Sequence, residues 1–173
     1  MPSWKPYFSP ELLYFITTSF HCHKDYLKND VPKQIILDIF DCYRRQGQVM
    51  LYSFVLMPTH IHFISRIPKL SLADFMRNFK SLSSNRIHRY FQSIQNNKTW
   101  NRRKIWEEGY VAKEIYSLPF LEQKVNYIHD NPCKLPWKFV DFPEDYPWSS
   151  ARFYLTNNPC IIPIDDFRDY FIN

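Results

Sequence analysis

At 173 residues, with 45% hydrophobic and 18% aromatic residues and a formal charge of +5, the chain is long enough for one ordinary core, too apolar to be disordered, and inclined toward a polyanionic partner. Glycine occurs only at Gly47 and Gly109, which excludes a phosphate-cradling loop or a dinucleotide fingerprint, and with them nucleotide-dependent kinases, ATPases and Rossmann oxidoreductases. Four scattered cysteines (Cys22, Cys42, Cys133, Cys160) with no Cys-x-x-Cys pair, an opening without a leader pattern, and no apolar run of bilayer length point to a reducing cytoplasm, free thiols and no membrane partner.

Leu12 to Phe20 is rich in aromatic and β-branched residues and reads as a first strand. A polar stretch over 21–30 precedes Pro32, which suits a first helical turn, and Ile35, Ile36, Ile39, Phe40 and Tyr43 follow at helical spacing until Gly47 stops the helix. Val49 to Leu56 and His60 to Ile67 form a predicted hairpin about the turn Met57-Pro58-Thr59. Ser71 is placed to cap a helix with Leu72, Phe75, Met76, Phe79 and Leu82 on one face and Arg77, Lys80, Arg86 and Arg89 on the other. Residues 92–104 are polar and basic and read as a loop. A short strand over Tyr110 to Tyr116 leads to a helix over Leu118 to Asp130, opened by Pro119 and halted near Pro132, and a last short helix is expected near Ser149 to Tyr154. The pattern is that of one α+β domain without repeats or linkers.

Two short strings carry chemistry. His60 and His62 are two apart on a predicted strand, so both imidazoles share one face and can grip one metal ion. Tyr127 and Asn131 are four apart on a predicted helix and project together. A nucleophile, two imidazoles and an amide oxygen suffice for metal-assisted phosphoryl transfer, and imidazole with amide oxygen suits a borderline or hard divalent ion. Each residue also has an ordinary reading: the histidines as polar strand positions, Tyr127 as part of the buried stripe with Leu121, Val125 and Ile128, and Asn131 as a helix cap.

The strings Ser53-Phe54-Val55-Leu56-Met57-Pro58-Thr59-His60-Ile61-His62 and Tyr127-Ile128-His129-Asp130-Asn131-Pro132 resemble the two signatures of the REP-associated tyrosine transposases, which belong to the HUH single-strand transposases with one catalytic tyrosine. The likeness extends in order through Tyr14-Phe15-Ile16-Thr17-Thr18, Phe79-Lys80-Ser81, Ile105-Trp106-Glu107-Glu108-Gly109-Tyr110 and Tyr146-Pro147-Trp148-Ser149-Ser150. Thr59 stands where the family usually has Asn, and Cys133-Lys134-Leu135-Pro136-Trp137 lacks the Ala-Gly common after the second signature.

The resemblance implies a ferredoxin-like antiparallel sheet with helices packed on it, and a single HUH transposase-like catalytic domain over residues 1–173. It implies that Tyr127 is the nucleophile and that His60, His62 and Asn131 hold Mg²⁺ or Mn²⁺. The reaction implied is attack on a phosphodiester of single-stranded or hairpin DNA, giving a 5′-phosphotyrosine link and a free 3′-OH, with no nucleotide cofactor because the covalent link keeps the phosphodiester energy. No residue is assigned as the base for the phenolic proton: His129, two residues from Tyr127, points off its helical face and reads as structural or a DNA contact, and Glu114 is a candidate with no geometry behind it. DNA contacts are expected from Arg77, Lys80, Arg86 and Arg89, and from Arg102, Arg103 and Lys104; Trp100 and Trp106 could stack on unpaired bases or, for Trp106, fill the core. A metal-dependent hydrolase using activated water and a non-catalytic DNA-repeat-binding module remain as alternatives, and the chain could act as a monomer or a homodimer.

Overall fold

The structure, a computed structural model, describes residues 8–95 and 104–170. Strand β1 (Leu13–Ser19) is followed by helix α1 (Asp30–Arg45), the hairpin β2 (Met50–Met57) and β3 (His60–Arg66), helix α2 (Leu72–Gln95), β4 (Val111–Ile115), helix α3 (Leu118–Asp130) and the short α4 (Ala151–Thr156). The strands form one antiparallel sheet in the order β2-β3-β1-β4. With βαββαβ connectivity this is the expected ferredoxin-like α+β arrangement, to which α3 is added.

Local chemistry explains the element ends. Gly47 adopts a positive φ of 63° and its N–H closes onto the Arg44 carbonyl at 2.8 Å, the left-handed stop that a side chain would resist. Ser71 accepts from the Asp74 N–H at 3.0 Å and donates to the Asp74 carboxylate at 2.7 Å, capping α2. Helix α2 runs to Gln95, beyond the start of the expected loop, because no glycine or proline interrupts 92–95. Trp100, Arg102 and Arg103 lie outside the described residues.

The sheet is buried on both faces. Alternation along β1 and β3 sends Tyr14, Ile16, Ile61 and Phe63 to one face, where they pack with Ile36 and Phe40 of α1 and Phe75 and Phe79 of α2. Leu13, Phe15 and Ile64 point the other way, with Val55, and meet Leu121, Val125 and Ile128 of α3. Each such side chain, fully buried, contributes about 1.5–3 kcal/mol. A register shift between Leu51 and Ser53 turns both Tyr52 and Ser53 toward the α3 layer. The outer edge of β2 is closed by residues 148–150: the Leu56 N–H donates to the Trp148 carbonyl and the Ser150 N–H to the Phe54 carbonyl.

Trp106 belongs to the core. It is 4% exposed, stacks on Phe20 with centroids 4.1 Å apart, and donates from Nε1 to Ser83 Oγ at 2.9 Å. Among the described residues no helix is long and apolar enough to cross a membrane.

Candidate active site

The α3 face of the sheet carries both histidines. His60 pairs with Ser19 and His62 with Thr17 across the β1–β3 ladder, and the two rings lie 4.7 Å apart at 69°. Each ring is held from one side by a threonine: Thr17 Oγ1 lies 2.7 Å from His62 Nδ1, and Thr59 Oγ1 lies 3.0 Å from His60 Nδ1. The other nitrogen of His62, Nε2, is buried without a hydrogen-bond partner. Burial, followed by the neighbouring His60, pushes the His62 pKa down to about 3. Burial lowers His60 as well, partly offset by a side-chain hydrogen bond with Asn131. Both imidazoles are therefore held toward the neutral form, and His62 Nε2 is free for an electrophile.

Helix α3 brings the second string to the same place. Ser117 accepts from the Phe120 N–H at 3.4 Å at its start, and Leu121, Val125 and Ile128 seat it on the sheet. Tyr127 is not part of that stripe. Its ring is 44% exposed and lies 5.2 Å from the His62 ring and 5.8 Å from Phe15. One turn on, Asn131 Nδ2 donates to the Tyr127 carbonyl at 2.8 Å, which leaves the amide oxygen to face His60. His60, His62, Tyr127 and Asn131 thus converge, from two elements distant in sequence.

The structure also sorts the neighbours. His129 is 3% exposed, on the sheet side of α3, with Nε2 2.9 Å from Ser150 Oγ and 3.2 Å from Ser53 Oγ; burial takes its pKa down to about 4. It ties α3 to β2 and to the residue before α4, and does not reach the Tyr127 hydroxyl side. Glu114 is paired with Tyr14, whose side chain packs in the α1–α2 layer, so its carboxylate projects from the opposite face of the sheet. The group that does approach Tyr127 is one that sequence spacing alone did not single out: Lys124, one turn earlier, whose Nζ lies 5.8 Å from the Tyr127 ring centroid and 5.2 Å from that of Phe15. An i, i+3 spacing to the tyrosine was the available signal.

Arg77, Lys80, Arg86 and Arg89 sit on α2, which packs on the sheet face away from Tyr127. Arg77 pairs with Asp74 at 2.6 Å. Lys80 donates to the carbonyls of Glu107 and Gly109, and burial takes its ammonium down to about 8. Lys104 pairs with Glu108 at 2.9 Å. Trp137 is half-buried beside the histidines, its ring 6.4 Å from His60.

The profile of IS200-like transposases matches residues 10–131, a span that holds both histidines, Tyr127 and Asn131. The chain belongs to the IS200-like transposase family. No curated protein matches it. Among solved structures, the chain is similar to a REP-associated tyrosine transposase bound to a REP hairpin, at 19% identity and a TM-score of 0.64, covering 95% of this chain and 93% of that one. It is also similar to a provisionally named transposase from Deinococcus radiodurans R1, at 22% identity and a TM-score of 0.49, over 75% of this chain and 97% of that one. The first of these likenesses shows that this IS200-like transposase shares that protein's fold.

Proposed function

We propose that this IS200-like transposase is a single-domain, metal-dependent enzyme that cuts and rejoins single-stranded DNA through Tyr127. The observation that carries the reading is the approach of an exposed tyrosine ring to within 5.2 Å of His62, whose buried Nε2 has no partner. A buried polar atom left unpaired costs about 1–3 kcal/mol, so its persistence calls for a ligand.

The residues fit a divalent ion. His60 and His62 are kept neutral, as ligands must be, and the threonines fix the rings from behind. Asn131 adds an amide oxygen. This mixed nitrogen and oxygen set suits Mg²⁺ or Mn²⁺ and lacks the thiolates of a structural zinc site. When bound, such an ion would neutralise charge on the scissile phosphate oxygens.

Tyr127 supplies the nucleophile. Its phenolic oxygen attacks phosphorus, the bond to the 3′-oxygen breaks, and that oxygen leaves as a 3′-OH after taking up a proton, while the phenolic proton is released toward solvent from the exposed side of α3. The product is a 5′-phosphotyrosine, and attack by a 3′-OH reverses it. Lys124 places a cation beside the attacking ring, where negative charge develops on deprotonation. Trp137 offers an aromatic face for an unpaired base next to His60.

The partner is single-stranded DNA bearing a hairpin, by analogy with the REP hairpin held by the similar transposase. The four cysteines are free thiols, in keeping with a cytoplasmic setting. The test is covalent capture. Labelled hairpin-bearing single strands from the flanks of the gene are incubated with Mn²⁺ and wild type or Tyr127→Phe, and resolved on a denaturing gel. A metal-dependent adduct absent from the mutant is expected. Cleavage that persists in Tyr127→Phe would replace this mechanism with hydrolysis by activated water, and binding without any adduct would leave a DNA-binding module.

A further inference from the structure

A second cluster of metal-ligating side chains lies beyond the end of β1. The turn His21-Cys22-His23 is built on two consecutive non-glycine residues at positive φ, Cys22 at 55° and His23 at 49°. That backbone conformation is uncommon for such residues and costs of order 1–3 kcal/mol at each. It is held by Glu107, which accepts from the Cys22 N–H at 2.6 Å, and by the His21 N–H, which donates to the Ile105 carbonyl at 2.8 Å. The strained turn and the 105–109 segment bring the polar groups together: one donor atom each from His21, Cys22 and Glu107 falls within 4.8 Å of the others.

We propose that His21 and Cys22, with Glu107 supporting the His21 ring, form a binding site for a thiophilic divalent cation of the zinc type, separate from the His60–His62 site. Cys22 Sγ lies 3.4 Å from His21 Nε2. Bond lengths of about 2.3 Å to thiolate and 2.0 Å to imidazole put two tetrahedral zinc ligands roughly 3.5 Å apart, so the observed pair needs almost no adjustment to share an ion. The opposite nitrogen, His21 Nδ1, is 3.1 Å from Glu107 Oε1. A carboxylate on the far nitrogen of an imidazole is the usual support behind a metal-bound histidine, fixing its tautomer and orientation. Cys22 is exposed and His21 and Glu107 are partly so, which leaves a route in from solvent and room for water to complete the coordination.

The donor set distinguishes this site from the first. Thiolate and imidazole select zinc over Mg²⁺ or Mn²⁺, whereas the His60, His62 and Asn131 set contains no sulfur. An ion here would tie the turn after β1 to the 105–109 segment. That turn lies against the β2–β3 hairpin, because the Phe20 N–H donates to the Thr59 carbonyl at 2.9 Å.

Cobalt(II) titration of the full-length, metal-free protein tests the proposal. A thiolate-to-cobalt charge-transfer band in the near ultraviolet is expected, reaching one equivalent, unchanged in His60→Ala and lost in Cys22→Ser. Glu107→Gln is expected to keep the band with affinity weakened about 10–100-fold. A wild-type protein without the band, or a band that survives Cys22→Ser, would overturn the site. A second measurement needs no variant: equimolar Zn²⁺ should slow alkylation of Cys22 by N-ethylmaleimide, mapped by mass spectrometry, while leaving Cys133 unaffected. Equal alkylation of Cys22 with and without Zn²⁺ would count against it.

Discussion

Thr17 and His62 face each other across the β1–β3 pair with Oγ1 and Nδ1 2.7 Å apart, so the ring is fixed with its unpartnered Nε2 turned into the site. Removing such a support behind a metal-binding histidine typically weakens metal affinity 10- to 100-fold. Thr17→Val is therefore expected to weaken Mn²⁺ binding by about that factor, and Thr17→Ser to restore most of it. Calorimetric titration with Mn²⁺ checks both, and an unchanged affinity in Thr17→Val would remove the threonine from the site.

Lys124 stands over the rings of Tyr127, Phe15 and Phe120. If its charge assists the tyrosine and meets the strand, Lys124→Gln slows covalent adduct formation about ten-fold or more, in the range of a lost electrostatic contribution. It also lowers the salt dependence of single-strand binding by about 0.7 log units per log unit of salt, one phosphate contact. Single-turnover adduct kinetics and a salt series measure the two effects separately, and a variant with wild-type values in both would place Lys124 outside the reaction.

Acid should destabilise the fold before its carboxylates titrate. Burial holds His62 down to about 3 and His129 down to about 4, so the folded protein stays neutral at positions where the unfolded chain has taken up protons. Stability then falls as pH drops below about 6.5 and goes on falling toward 4, with a loss of about 2 kcal/mol per histidine by pH 5. Urea midpoints at pH 7 and pH 5 read this directly. His129→Gln, which keeps a hydrogen-bonding side chain, should remove about 2 kcal/mol of the difference.

Trp106 offers a test of packing against recognition. Its stacking on Phe20 and its bond to Ser83 make Trp106→Ala cost about 3–5 kcal/mol of stability. Single-strand affinity per folded molecule should not change. Fluorescence-monitored urea unfolding with parallel DNA titration separates these outcomes; a stable variant with weakened DNA binding would return Trp106 to the strand-binding surface.

The order of strands and helices was legible because β3 is a short apolar run whose residues two apart share a face, and α2 keeps three-to-four spacing through Phe75, Met76 and Phe79. The pairing of His60 with His62, and of Tyr127 with Asn131, followed from the same two periods. What periodicity does not carry is the face of the sheet that each helix takes. The basic positions of α2 lie on the helix that packs opposite α3, and Lys80 turns inward onto two loop carbonyls. The Thr17 support was equally hidden. Thr17 and His62 are 45 positions apart, and the Ser53–His129 contact spans 76, so each exists only once the sheet register and the seat of α3 are fixed.

Because α3 packs on the sheet of its own chain, with Tyr127 against His62, a single chain brings together the residues proposed for the cut. Cleavage by such a molecule is first order in protein: the rate per enzyme molecule on saturating DNA should stay constant as the protein is diluted, and mixing Tyr127→Phe with His62→Ala should regenerate no activity. Any requirement for two copies would then arise at the joining of separate ends, not at the making of the break.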